Sequence, residues 1–199
     1  DRYASRGLGD VYKRQILLPV RTALLLLPTA KPNWNFMQDF LQALKTLKME
    51  DVNYVSLGDF VYNYDFSNMD FHAELPPLTD GDYSRNILCL DPIEAVLLHW
   101  PPGVESAIHF HEGFYGYVVI LQGEGRDVLY QFQNGQLAEQ KVTECSRYGI
   151  IDEPDGIIHK ICNCGDEPLV TLHIYFPALE TLDGLKIFDV EKCRIGTLN

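Results

Sequence analysis

The chain has 199 residues, 46% hydrophobic and 22% charged, a profile that suits one globular domain with a sizeable core. Its net charge of −12 argues against a nucleic-acid partner, because neutralising phosphates needs a basic surface. No segment is apolar for long enough to span a membrane, and the five cysteines are odd in number and too sparse for a disulfide scaffold. Reduced thiols in a cytoplasmic protein are the simplest account.

In chain order, residues 1–15 look foreign. Asp10-Val-Tyr-Lys-Arg-Gln15 resembles a translated sequencing adapter, residues 1–9 lack periodicity, and position 1 is not Met. Residues 16–30 hold two apolar patches broken by Pro19, Arg21 and Pro28. Residues 34–48 read as an amphipathic helix, with Phe36, Phe40, Leu41, Leu44 and Leu47 at helical spacing and Asn33 as cap. Two shorter helices are expected near 50–56 and 59–64, then an irregular connection over 65–82. From Tyr83 the texture changes. Strands are predicted at 85–90, 93–100, 106–110, 115–121, 125–132, 138–143, 148–152, 158–163, 168–176 and 185–190, separated by turn signals such as Asn134-Gly135 and Gly165-Asp166. Short strands at this rhythm predict a mainly β fold, a barrel over 83–199 with helices from the 16–82 region packed on it, as one domain.

The chemistry concentrates in three histidines. His109-Phe-His111 places two imidazoles two residues apart, on one face of a strand and about 7 Å apart along it. His159, from a neighbouring strand, would close one face of an octahedron around an ion and leave the other face open. Glu112 adjoins His111 and should point the other way. Cys162-x-Cys164 lacks zinc-site spacing, and on a strand through His159 both would face away from it.

The surrounding residues resemble the two motifs of the cupin family. Gly103, His109, His111 and Gly123 fit the first, although Gly116 stands where that motif has a ligating Glu. Pro154, Gly156, His159 and Asn163 fit the second. The resemblance implies a double-stranded β-helix (jelly-roll) barrel and a centre of three neutral histidines without a carboxylate.

Residues 83–190 further resemble thiol dioxygenases of the cysteine dioxygenase type. The carriers are Tyr83-Ser-Arg85-Asn86, Trp100, and Thr171-Leu-His173-Ile-Tyr175 followed by Phe176-Pro177. That resemblance implies one ferrous ion per chain on His109, His111 and His159. It also implies a substrate carboxylate on Arg85, and a Tyr175 hydroxyl oriented by His173, with Thr171 and Trp100 behind. Taken alone, Tyr175 and His173 also read as a core aromatic and its hydrogen-bond partner. Tyr83 reads equally as substrate contact or wall. Animal members carry a Cys at the Gly116 position, crosslinked to the tyrosine equivalent to Tyr175; Gly116 precludes that bond and is expected to leave space beside the ring.

The implied reaction is oxidation of L-cysteine to cysteine sulfinate by dioxygen, a step of cysteine catabolism, in a cytoplasmic monomer. Alternatives are a 3-mercaptopropionate dioxygenase, whose relatives tend to carry Gln in place of Arg85, and a metal-binding cupin acting as a sensor or isomerase. The adapter reading predicts that deleting residues 1–15 leaves melting temperature and activity unchanged; a large drop in melting temperature in thermal denaturation would assign the segment to the domain.

Overall fold

The computed structural model describes residues 36–133, 136–179, 181–189 and 194–198. The adapter-like segment 1–15, the apolar patches of 16–30, the cap at Asn33 and the turn at Asn134-Gly135 lie outside them. The described residues belong to one compact unit, Trp34–Asn199.

Helix α1 spans Phe36–Lys45 and buries Met37, Phe40, Leu41 and Leu44, the apolar positions that recur at helical spacing. The two short helices expected next are one element, α2, Tyr54–Asn63. Its start is set by Asn53, whose side chain accepts from the Val55 and Ser56 amides while Ser56 Oγ accepts from the Asn53 amide. That reciprocal cap lies in the middle of the first predicted helix and moves the boundary. Residues 49–51, 66–68 and 72–74 form single 3₁₀ turns.

Eleven strands follow among the described residues: β1 Ser84–Cys89, β2 Glu94–Trp100, β3 Ile108–Phe110, β4 Tyr115–Gln122, β5 Glu124–Gln133, β6 Gln136–Ser146, β7 Ile150–Glu153, β8 Ile158–Cys162, β9 Leu169–Phe176, β10 Lys186–Asp189 and β11 Arg194–Thr197. The last was not predicted. It is exposed throughout and pairs only with β10, so it carries no burial pattern to read. The strands form two antiparallel sheets, ordered β1-β2-β9-β4-β7 and β11-β10-β3-β8-β5-β6. This is the double-stranded β-helix of the cupins.

The five-stranded sheet is covered on both faces. Ala95, Leu97, Tyr117, Val119, Leu121, Val170, Leu172 and Ile174 pack in one cluster with α1 and α2. The alternate residues Val96, Leu98, Trp100, Val118, Ile120 and Ile151 pack inside the barrel with Ile161 and Leu169. Double burial explains why every residue of β2 is buried and why β2, β4 and β9 read as continuous apolar runs. Tyr117 ties helix to sheet: its hydroxyl donates to the Tyr54 carbonyl at 2.7 Å and its ring stacks on Tyr54. No helix among the described residues is long and apolar enough to cross a membrane.

Candidate metal centre

The register brings the histidines together. His109 on β3 pairs directly with His159 on β8, so their side chains leave the same face. His111 follows the end of β3 and is held by its backbone: its amide donates to Ile157 O at 2.9 Å and its carbonyl accepts from Gly156 N at 2.7 Å. Gly156 turns there with φ of 88°, a conformation that suits glycine.

The three Nε2 atoms lie 3.0 Å (His111–His159), 3.2 Å (His109–His159) and 3.2 Å (His109–His111) apart. Partners fix the tautomers. His109 Nδ1 donates to Ala107 O at 2.9 Å, and His159 Nδ1 donates to Asp127 Oδ1 at 2.8 Å. Both Nε2 lone pairs are therefore directed at one another, an arrangement that needs a positive charge between them. Ligands about 2.0–2.2 Å from one ion and at right angles to each other stand about 3.0 Å apart, so the spacing fits one octahedral face. Among the described residues this trio is the only such cluster, and no cysteine joins it. Glu112 turns away to Lys186, at 2.5 Å.

The electrostatics agree. Burial and the neighbouring His159 hold His109 down to about 3, and burial depresses His111 further. Burial also disfavours the His159 cation, but Glu153 and Asp127 outweigh it and raise its pKa. The field that favours an imidazolium there also favours a cation among the three nitrogens.

Two carboxylates around this centre were not anticipated from the sequence. Asp127, on β5, orients His159. Glu153, at the end of β7, is fully buried; its Oε1 lies 3.5 Å from His159 Nε2 and its Oε2 lies 3.8 Å from His111 Nε2. Burial pushes its carboxyl up to about 7. The three histidines alone form the metal-binding cluster among the described residues, with the two carboxylates just outside it. The signal was present: Glu153 precedes Pro154, and residues before proline favour extended backbone. Alternation with buried Ile151 then aims Glu153 inward. The predicted strand stopped one residue short, at 152.

Arg85, Tyr83, His173, Tyr175 and Glu153 line one cavity of about 90 Å³ with His109 and His111. That is far below the roughly 300–1,000 Å³ of drug-sized pockets and suits a small molecule. Arg85 stands at the mouth, its side chain 32% exposed, with Nη2 3.6 Å from Oε1 of the buried Glu94. Glu94 Oε2 accepts from the Leu179 amide at 2.7 Å, which fixes the carboxylate behind the guanidinium. Glu94 too was not singled out from sequence.

On the same sheet face as Arg85, which lies in one cross-strand row with Leu98 and Thr171, a directional chain runs along the strand β9. Trp100 Nε1 can only donate, and does so to Thr171 Oγ1 at 2.8 Å. The Thr171 hydroxyl proton is then free for His173 Nε2 at 2.9 Å, leaving His173 Nδ1–H to donate to the Tyr175 hydroxyl at 2.8 Å. Burial keeps His173 neutral and raises the Tyr175 pKa. Tyr175 therefore keeps its own proton, with no claim on it from His173. Tyr83 stacks on Trp100 with ring centroids 4.3 Å apart, forming cavity wall.

A two-sheet barrel whose paired strands focus three imidazole lone pairs on one point is a metal-binding cupin. Comparison with known proteins narrows the class: residues 35–189 match the family model described as Cysteine dioxygenase type I, and the chain belongs to that family of cupin thiol dioxygenases. A zebrafish (Danio rerio) protein named cysteine dioxygenase type 1 is 22% identical over 155 residues, 73% of this chain and 76% of that one. Among solved structures, a Klebsiella pneumoniae protein with a double-stranded β-helix domain is 23% identical at a TM-score of 0.45, covering 57% of this chain and 91% of that one. A Bacillus subtilis oxalate decarboxylase is 20% identical at a TM-score of 0.45, covering 55% of this chain and 29% of that one.

Gly116 requires a correction. It pairs with Tyr175 on one side and Glu153 on the other. A Cβ at this position would overlap both the Tyr175 ring and the Ile174 carbonyl oxygen. The ring already occupies the space that a missing side chain was expected to leave open. Gly116→Ala should therefore destabilise the fold by about 1–3 kcal/mol, the usual cost of overpacking, and Gly116→Cys should do the same rather than restore a crosslink. Denaturant titration and a denaturing gel check both outcomes.

Proposed function

We propose that this chain uses ferrous iron on His109, His111 and His159 to oxidise L-cysteine to cysteine sulfinate, adding both atoms of dioxygen to the sulfur of one thiol. The observation that carries the reading is that two of the three convergent histidines line a small cavity together with the Arg85 guanidinium and the Tyr175 hydroxyl, which come from the facing sheet. Iron, when bound, supplies thiolate formation at neutral pH and a redox route to dioxygen.

The protein's own groups do the positioning. Arg85 offers a planar fork for a carboxylate. Glu94, anchored by the Leu179 amide, restrains one edge of that fork and leaves the remaining donors for the cavity. The Trp100–Thr171–His173 chain holds the Tyr175 oxygen and leaves its proton available for donation to substrate. Leu179, Leu182, Leu185 and Leu198 line the same cavity and limit the access of water. Four described cysteines are free thiols, which suits the reducing cytosol.

The test is anaerobic reconstitution with ferrous iron, followed by oxygen uptake and sulfinate detection with cysteine, 3-mercaptopropionate and other small thiols. Cysteine should give one sulfinate per dioxygen. Uptake only with 3-mercaptopropionate would transfer the assignment to that substrate, and metal binding without uptake for any thiol would favour a sensor or isomerase. Arg85→Gln should weaken cysteine turnover much more than 3-mercaptopropionate turnover; equal losses for the two thiols would give Arg85 a structural role. Tyr175→Phe should cut turnover by up to about 10²-fold, or uncouple oxygen uptake from sulfinate formation, as expected when one positioned proton donor is lost. Unchanged turnover and full coupling would return Tyr175 to a packing role.

A further inference from the structure

We propose that Glu153 is a fourth protein ligand of the metal, so that the centre is three histidines and one carboxylate delivered from an unexpected strand. The inference rests on the metal reading above and concerns this chain's own departure from a three-histidine centre.

The first observation is the state of the carboxylate. Glu153 is fully buried and lines the cavity, and neither oxygen has a partner at full hydrogen-bond geometry. Among the described residues, the one neutral donor close enough to interact with it is the Tyr175 hydroxyl, which does not neutralise its charge. A buried, unpaired carboxylate is costly, and proteins retain one where a proton or a cation compensates it. The cationic partner here would be an ion held by the facing His109 and His159 lone pairs together with His111.

The second observation is register. Gly116 on β4 occupies the place of the ligating Glu in the first cupin motif, and Glu153 on β7 pairs directly with Gly116. Directly paired residues project from the same face, with Cβ atoms about 4.5–5.5 Å apart. A glutamate one strand over therefore reaches the same space as a glutamate at position 116 would. The Tyr175 ring fills the volume next to Gly116, so a side chain at 116 would collide, whereas one from β7 does not.

The third observation is distance. Glu153 oxygens lie 3.5 and 3.8 Å from His159 and His111 Nε2. Adjacent ligands of one ion are about 3.0 Å apart, so each oxygen stands just beyond that separation from one of the two rings. Four protein ligands leave two of six positions. A thiol would then be held at the centre through sulfur alone, with its carboxylate on Arg85 and its amine not required as a ligand. This assigns substrate orientation to Arg85 more heavily than a three-histidine centre would.

Cobalt(II) is a suitable probe, because it binds such sites and reports coordination optically without turnover. A crystal structure of the full chain loaded with cobalt should show a Glu153 oxygen about 2.0–2.2 Å from the ion. Glu153→Gln should bind cobalt more than about 100-fold more weakly in chelator competition, beyond the roughly 10–100-fold typical of groups outside the coordination sphere, and should change its visible absorption. A Glu153 oxygen beyond about 3 Å in a cobalt-loaded three-histidine site overturns this proposal and leaves the dioxygenase reading intact. Failure of the wild-type chain to bind cobalt at the three histidines overturns both.

Discussion

The structure is organised around three imidazole rings whose Nε2 atoms lie 3.0 to 3.2 Å apart inside the barrel. The arrangement is possible because the outer nitrogens of two rings are occupied. His109 Nδ1 is tied to a backbone carbonyl and His159 Nδ1 to Asp127. Each bond fixes a tautomer and a ring plane, and each raises the basicity of the nitrogen that faces inward. Burial prevents the rings from resolving the conflict by protonation, at least at His109 and His111. The result is a preorganised demand for a cation.

That demand requires a rigid scaffold, and double burial supplies it. Strands β2, β4 and β9 are sealed on one face by α1 and α2 and on the other by the barrel interior. The helices therefore protect the metal centre without touching it. They bury the outer face of the sheet whose inner face carries Trp100, Thr171, His173 and Tyr175. The interlocking of Tyr54 and Tyr117 at the helix–sheet interface, and of Gly116 and Tyr175 at the inner face, leaves little freedom for those side chains to reposition.

The buried charges follow one logic. Asp127 and Glu153 face the histidine cluster, and Glu94 faces Arg85. Each negative group has a cation, or a site for one, within reach. The guanidinium and the histidine cluster thus share one small cavity. Tyr175 adds a neutral donor between walls that are otherwise apolar.

Much of this was readable from the sequence alone. Amphipathic spacing disclosed α1, and short β-rich runs disclosed ten of the eleven described strands and hence the barrel. His-x-His with a distant third His disclosed the three histidines that converge, because a shared site fixes residue type and parity along a strand. Local rules misplaced α2, since the Asn53 cap competes with an equally plausible earlier start, and they missed β11, which has no buried face to impose a pattern. What tertiary structure alone decided was the company those ligands keep. Glu153, Asp127 and Glu94 are single acidic residues in unremarkable strands, and most such residues face water. Only the cross-strand register, Gly116 with Glu153 and His109 with His159, turns them inward onto the site. Register is set by the packing of the whole barrel, and no local stretch of sequence contains it.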